Sequence, residues 1–447
     1  MLVYGKEKEV KLPTPLLSHY QLLSLKALNI ALCEVPGYAS WKTFDPGPQV
    51  SIDERYAALP TLTKEDIREH FPAGFIPRGR DLEKGLASGA VEFAQTSGSK
   101  NDRLKLVFNH SWWEASERAA WKLNLHARGV ADGRHREVVL ASPRCVGPGF
   151  SPKPLTVAER TIGRHLYVNQ KINPASWTTM DIRRMAKEIN DYAPLALEGD
   201  PAYLAAFARR IAELGIEVCQ PRLIFLTYSY PSRIYLRQIR AVFAAPLASS
   251  YGSTETGHVF MECEAGRLHQ NSEHCRVDFL PWLPGYGGPQ RGRILVTVFH
   301  NPWFSVLRFD IGDVARLDEG SPCPCGRDQG LTLAAIEGRV ADVTFTQAGQ
   351  VVTVDDLDGA LAGISELNSW QLDLPQPGVL KLRILAVSGG EAKARRHCLA
   401  RLRTLYGSGA RIEITVAKAL RHEISGKIRF TRTAFSVDHT LLWRRQG

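Results

Sequence analysis

The sequence predicts an α/β protein: a large multi-layer N-terminal α/β domain followed by a small, mobile α+β C-terminal domain. Three observations carry that expectation. The chain has 447 residues, more than one hydrophobic core usually serves. Between about residue 90 and 335, strand-like runs alternate with helix-length segments, the pattern of stacked α/β layers. After "IEGRVADVTF" the pattern changes, and the remaining hundred or so residues have the size and variety of a separate domain. The boundary falls near Arg339, giving units 1–338 and 339–447.

Taken in order, the first ninety residues read as helical and irregular. "SHYQLLSLKALNIALCEV" has apolar residues at helical spacing, and "LTKEDIREHF" opens with a capping Thr and an acidic first turn. The strands of the large domain are "DRLKLVFN", "EVVLAS", "RLIFLTYS" and "RILVTVFH". Its helices are "WWEASERAAWKLNLHA", "TMDIRRMAKEINDY", "PAYLAAFARRIAELG" and "SRIYLRQIRAVFA". In the small domain a hairpin around "QAGQ" precedes a helix from Val354, strands "SWQLDL" and "VLKLRILAV", a helix "EAKARRHCLARLRTLYG" and a strand "RIEITVAKA". No internal repeat or low-complexity tract interrupts this order.

With 44% hydrophobic and 23% charged residues the composition is that of a soluble globular protein. No run approaches the roughly 18 apolar residues of a membrane span. The opening "MLVYGKEKEVKLPTPLL" lacks the basic, apolar and small-residue regions of a secretion signal, so a cytoplasmic location is expected. The formal charge is +10, but Lys and Arg are scattered, which fits solubility or a polyanionic small molecule better than nucleic acid. Eight cysteines do not make a disulfide framework. Cys33, Cys145, Cys219 and Cys398 are expected to be buried apolar residues.

Four stretches carry chemistry. "FAQTSGSKNDRLKL" clusters Thr96, Ser97, Gly98, Ser99 and Lys100 between apolar flanks. It reads either as a loop whose N–H groups meet phosphate or as a polar turn between two strands. "YGSTETG" combines Tyr251, Gly252, Ser253, Thr254, Glu255 and Gly257. As a nucleotide turn, Tyr251 would stack on a flat ring, Thr254 bond a phosphate oxygen and Glu255 hold magnesium; otherwise it is a capped loop with a solvated Glu. "LRFDIGDVARL" sets Asp313 after a glycine at a strand end, suited to gripping ribose hydroxyls or to an ordinary hairpin turn. "EISGKIRF" puts Lys427 on a turn, to be swung toward a distant anion or left at the surface.

Together these pieces resemble the adenylate-forming superfamily of acyl- and aryl-CoA ligases, and most closely its phenylacetate–CoA ligase branch. The likeness rests on "TSGS" at 96–99, "YGSTE" at 251–255, "RFDIGD" at 308–313, "GRVAD" at 338–342 and "GK" at 426–427, in that order. "LPTLTKEDIREHFPAG" and "LEGDPAYLAAFARRIAELGI" extend it over nearly the whole chain. The resemblance implies two steps: a carboxylate, by expectation aromatic, attacks the α-phosphate of ATP, and a thiol then displaces AMP. It implies that Lys427 bridges carboxylate and α-phosphate, Glu255 binds Mg²⁺ with Thr254 beside it, and Asp313 with Arg339 holds the ribose. Thr96 to Lys100 would cover the phosphates, and the hinge at Ala341-Asp342 would turn the small domain between half-reactions.

The sequence departs from the family pattern at three places. Thr227-Tyr228-Ser229-Tyr230 stands where the adenine-contacting "G-[GA]-E" is expected, so Ser229 and Tyr230 would line the purine through backbone. Asp310 replaces a second arginine. Lys100-Asn101 stands for Thr-Gly in the phosphate loop, where Asn101 can adopt the left-handed conformation and Lys100, Arg103 or Lys105 can supply charge. Tyr228, Tyr230, Tyr251 and Phe260 give the expected acyl pocket an aromatic character, with Gly257 beside it; His258 either faces the substrate or caps its loop. Cys263, His269, Cys323 and Cys325 form a Cys₃His set suited to structural zinc, provided the "CPCG" turn aims both sulfurs one way. The acceptor is expected to be CoA; a carrier-protein phosphopantetheine, an amine, or a non-catalytic nucleotide-binding role are the alternatives. A homodimer is compatible with the sequence.

Overall fold

In the computed structural model, residues 17–96, 103–319 and 322–443 are described. A twelve-stranded sheet organises the larger unit. Five strands pair in parallel at its centre: His165–Tyr167, Glu137–Leu140, Ala196–Gly199, Leu223–Leu226 and Leu247–Ser253. The short strand Thr161–Ile162 closes that edge. At Leu247–Ser253 the pairing changes sense. Gly257–Glu262, Leu268–Gln270, Thr332–Arg339, Phe309–Leu317, Arg291–Val298 and Cys275–Pro281 continue the sheet antiparallel.

The parallel strands read as continuous apolar runs because helices cover both faces. Glu137–Leu140 and Leu223–Leu226 are buried throughout. Helix Thr179–Tyr192 is started by a Thr178/Asp181 capping box, and helix Pro201–Glu213 by Asp200 with proline at its first turn. Helices His19–Glu34, Ile52–Ala58 and Lys64–His70 pack over the antiparallel half through Leu28, Tyr56, Ile67, Val296 and Phe309. The expected "WWEASERAAWKLNLHA" helix runs only from His110 to Trp121, and a 3₁₀ turn Ala127–Val130 follows.

The sequence reading missed most of the antiparallel half. "RFDIGD" does not end a strand: Asp310 and Asp313 both lie within Phe309–Leu317, where the register shifts against Arg291–Val298 and Gly312 takes φ +82°. A bulge was mistaken for a strand end because glycine marks both. Of the four cysteines expected to be buried, Cys398 is; Cys33 is exposed, and Cys145 and Cys219 are half-buried.

After Arg339 the chain forms the hairpin Thr344–Phe345/Val351–Val352, helix Val354–Ala362, and a four-stranded sheet in the order Arg411–Val416, Val379–Ala386, Leu367–Gln376, Thr431–Thr433, with helix Glu391–Tyr406 against it. This smaller unit shares a core with the larger one. Trp370, Leu372 and Phe430 belong to the same buried cluster as Ile234, Tyr235 and Ile239 of helix Arg233–Arg240. The side chain of Ser232 donates to Asp358, and Tyr230 donates to Asp355 at 2.7 Å. Arg237 donates to the carbonyls of Ala362, Ile364 and Leu367. No helix among the described residues is long and apolar enough to cross a membrane.

Candidate active site

The site forms where the central sheet changes from parallel to antiparallel, the position at which α/β sheets open a crevice beyond their strand ends. The strand Leu247–Ser253 delivers Tyr251, and a tight turn then carries Thr254, Glu255 and Thr256 back to Gly257. Gly252 must be glycine: an added Cβ would overlap the carbonyl of Gly257. Gly257 itself has φ +68° and packs on Trp112 and Ser116. The Thr256 N–H donates to the Ser253 carbonyl at 3.1 Å. Inside this turn Glu255 is only 6% exposed, with no ion-pair partner among the described residues. A buried carboxylate in that state suits a hard cation.

Tyr251 reaches across the sheet. Its hydroxyl donates to Asp313 Oδ2 at 2.7 Å, and Asp313 Oδ1 lies 3.9 Å from Arg339 Nε. Burial raises the pKa of both Tyr251 and Asp313, while Arg339 pulls that of Asp313 back. Three residues picked from separate motifs therefore meet. Asp310 instead pairs with Arg293 at 2.5 Å.

Lys427 arrives from the smaller unit on a turn closed by Glu423 N–H to Lys427 carbonyl at 2.8 Å and Gly426 N–H to Glu423 carbonyl at 2.8 Å. That turn seats on the larger unit. Arg144 donates to the Ile424 carbonyl at 3.1 Å, the Cys145 thiol to the Ser425 carbonyl at 3.4 Å, and the Tyr203 hydroxyl lies 3.1 Å from the Gly426 carbonyl. Gly426 has φ +89°, and a Cβ there would overlap Ser142 and Tyr203. The Lys427 charge acts on Asp200 and Cys145, lowering what burial raises. Behind it, Asp342 is clamped by Arg429 at 2.6 Å and pushed up to about 6 by burial.

Other predicted residues are placed as follows. Thr96 closes the hairpin Glu92–Gln95/Lys105–Phe108 through two hydrogen bonds, its N–H donating to the Leu104 carbonyl at 3.0 Å and its Oγ1 accepting from the Leu104 N–H at 2.9 Å; Ser97, Gly98, Ser99, Lys100 and Asn101 lie outside the described residues. Ser229 bonds Asp200. Tyr228 has φ +70° and bonds Glu198. Tyr230 turns to Asp355 and packs on Phe430 of the smaller unit. Phe260 is fully buried core. The four aromatics thus do not line one pocket: Tyr251 and Phe260 are cross-strand neighbours packed at 6.2 Å, whereas Tyr228 and Tyr230 turn to Glu198 and Asp355. His258 packs on Trp113 at 4.9 Å and bonds Ser250 at 2.8 Å; burial lowers its pKa to about 4.

Cys263, His269, Cys323 and Cys325 converge, their ligand atoms all within 4.8 Å of one another. Two tight turns aim the sulfurs: Gly266 N–H to the Cys263 carbonyl, and Gly326 N–H to the Cys323 carbonyl, each 2.9 Å. Thr332 Oγ1, 3.3 Å from Nδ1 of His269, leaves Nε2 facing the cluster, 3.2 Å from Cys325 Sγ. Soft thiolates, an imidazole held by its other nitrogen and a closed tetrad fit structural zinc.

Sequence reasoning passed over Glu137, Glu198, Asp200 and Tyr203. Three of them stand in "LEGDPAY", where Glu198 and Asp200 interrupt an otherwise apolar strand and helix start.

No protein-family model and no curated protein sequence matches the chain. Solved structures do match. 2-Hydroxyisobutyryl-CoA ligase in the postadenylation state with 2-HIB-AMP is 16% identical, with 94% of this chain and 90% of that one covered and a TM-score of 0.68. The same ligase in an open conformation with 2-HIB-AMP and CoA gives 17%, 92%, 90% and 0.54. In its thioesterification state it gives 16%, 93%, 88% and 0.52. The chain therefore has the adenylate-forming ligase fold, with a large N-terminal and a small C-terminal domain.

Proposed function

We propose that the chain activates a carboxylic acid with ATP, releasing pyrophosphate, and passes the acyl group from the resulting adenylate to the thiol of CoA. The observation that carries this reading is the seating of the Lys427 turn on Ser142, Cys145 and Tyr203. A cation fixed there on a residue from the second unit meets the need of phosphoryl transfer for positioned charge. Lys427 holds the acid's carboxylate against the α-phosphate, and Tyr251, Asp313 and Arg339 hold the ribose. Glu255 would hold Mg²⁺, which when bound neutralises phosphate charge. Zinc on the Cys₃His set ties the late loops of the larger unit and takes no part in the chemistry.

ATP–pyrophosphate exchange over a panel of aromatic and aliphatic acids tests the reading. Exchange that needs both acid and Lys427 supports it; ATP binding with no exchange for any acid favours a nucleotide sensor.

A second reading, transfer to an amine or a carrier-protein thiol, is favoured by the bonded boundary between the units. Turning the small domain on the Ala341-Asp342 hinge would break the Tyr230–Asp355, Ser232–Asp358 and Arg237 bonds. CoA-dependent release of AMP after exchange decides between the two.

A further inference from the structure

The adenylation reading gives no task to Asp310, although it stands three residues before Asp313. Its carboxylate works in two directions. Oδ1 accepts the N–H of Gly312 at 3.0 Å, and Oδ2 pairs at 2.5 Å with Nη1 of Arg293 on the neighbouring strand. Gly312 is the residue at φ +82° where the pairing of Phe309–Leu317 with Arg291–Val298 shifts. A bulge of this kind re-aims the side chain that follows it, and here that side chain is Asp313. Asp310 therefore holds the backbone that presents Asp313 to Tyr251 and Arg339.

Arg293 is held in turn by a residue from far along the chain. Its guanidinium lies over the ring of Trp443, 4.3 Å from the centroid, while its Nε has no hydrogen-bond partner. Among the described residues, Asp310 and the indole face are its two holds.

Trp443 reaches that place because the chain returns to the larger unit after the strand Thr431–Thr433. Asp438 caps the 3₁₀ turn His439–Leu442, and the His439 ring bonds the backbone of Val343, next to the expected hinge. Leu442 is fully buried in a cluster with Trp282, Val314 and Val343. Its carbonyl accepts the Leu283 N–H at 2.7 Å. The turn is thus fixed on both sides, and Trp443 follows it directly.

We infer that Trp443 is a positioning residue for the nucleotide, acting through Arg293 and Asp310 on the bulge that presents Asp313. The inference rests on the part of the adenylation reading that gives Asp313 the ribose. A guanidinium stacked on an indole keeps its charge and its planar fork is already oriented when it meets a carboxylate. Without the ring, Arg293 loses one of two holds, and Asp310 loses the partner that keeps its other oxygen turned to Gly312.

The test titrates the full chain with ATP by calorimetry and runs exchange kinetics beside it. Trp443→Ala is expected to raise the Kd and KM for ATP about three- to tenfold, the size of a cation–π contact, with kcat held. Trp443→Phe, which keeps an aromatic face, should stay within about twofold of the wild type. In an Asp310→Asn background, Trp443→Ala should add less than about twofold, because residues acting through one another do not add. A role in packing alone predicts a lower melting temperature at unchanged Kd, or the same added loss in both backgrounds; either result overturns the inference. If the wild type binds ATP yet exchanges no acid, adenylation falls and the same Kd series still decides the role of Trp443. No ATP binding by the wild type overturns both.

Discussion

The hydroxyl of Tyr251 donates a 2.7 Å hydrogen bond to Asp313, joining two motifs across 62 residues of sequence. Burial raises the tyrosine's pKa, so it stays protonated as a donor at neutral pH. Tyr251→Phe leaves the Asp313 carboxyl one donor short, a loss of about 1–3 kcal/mol. The KM for ATP is expected to rise roughly tenfold with kcat changed less, measured as exchange against ATP concentration. A fall in kcat at constant KM would show that the pair acts elsewhere.

Lys427→Ala should reduce adenylation by a factor on the order of a hundred or more, yet largely spare thioester formation from supplied acyl-adenylate. Equal loss in both steps would refute its assignment to the first. Gly426→Ala is the companion variant. Its methyl group meets Ser142 and Tyr203, at a φ of +89° that alanine rarely adopts. It should lose activity by lifting the turn off its seat, read as exchange activity beside that of the wild type.

Purified protein should contain about one zinc per chain by elemental analysis after metal-replete growth. Cys325→Ser is expected to lower that content and the melting temperature together, because the four ligands tie the loops at Cys263 and Cys323 to the strand carrying His269. Full zinc content in that variant would place the metal elsewhere.

Stability should fall as pH rises above neutrality. Burial, and then neighbouring carboxylates, raise Glu198 to about 8 and Glu137 to about 7, from the ordinary glutamate value of 4.5. The folded state therefore binds more protons than the unfolded one across that interval. The contribution is complete below about 4.5 and is lost as pH climbs through the folded values. His135, His165 and His258, lowered to about 4 from 6.5 by burial, act oppositely and only below about 6.5. Melting temperature is thus expected to drop between about pH 6.5 and 8.5, and less so in Glu198→Gln. Equal slopes in both proteins would exclude Glu198 as the titrating group.

Much of the site was legible because short motifs encode local backbone. "YGSTETG" needs glycines at 252 and 257 for its turn, "GK" needs one at 426, and "CPCG" bends through Gly326 at φ +77°. Each requirement is local, so it is written in neighbouring letters. The bulge at Gly312 was misread because the same glycine signal serves strand ends and bulges, and only the pairing with Arg291–Val298 distinguishes them.

By itself, the sequence determined the α/β class, the order of the glycine-bearing motifs proposed for the site, the helices with their caps, and the Cys₃His set. Only the tertiary structure decided that Tyr251 meets Asp313 and Arg339, that Tyr230 binds the small unit, and that Glu137 and Glu198 face each other. The reason is physical. Periodicity and turn chemistry act over a few residues, whereas strand register across a twelve-stranded sheet fixes which side chains share a face and are removed from water together.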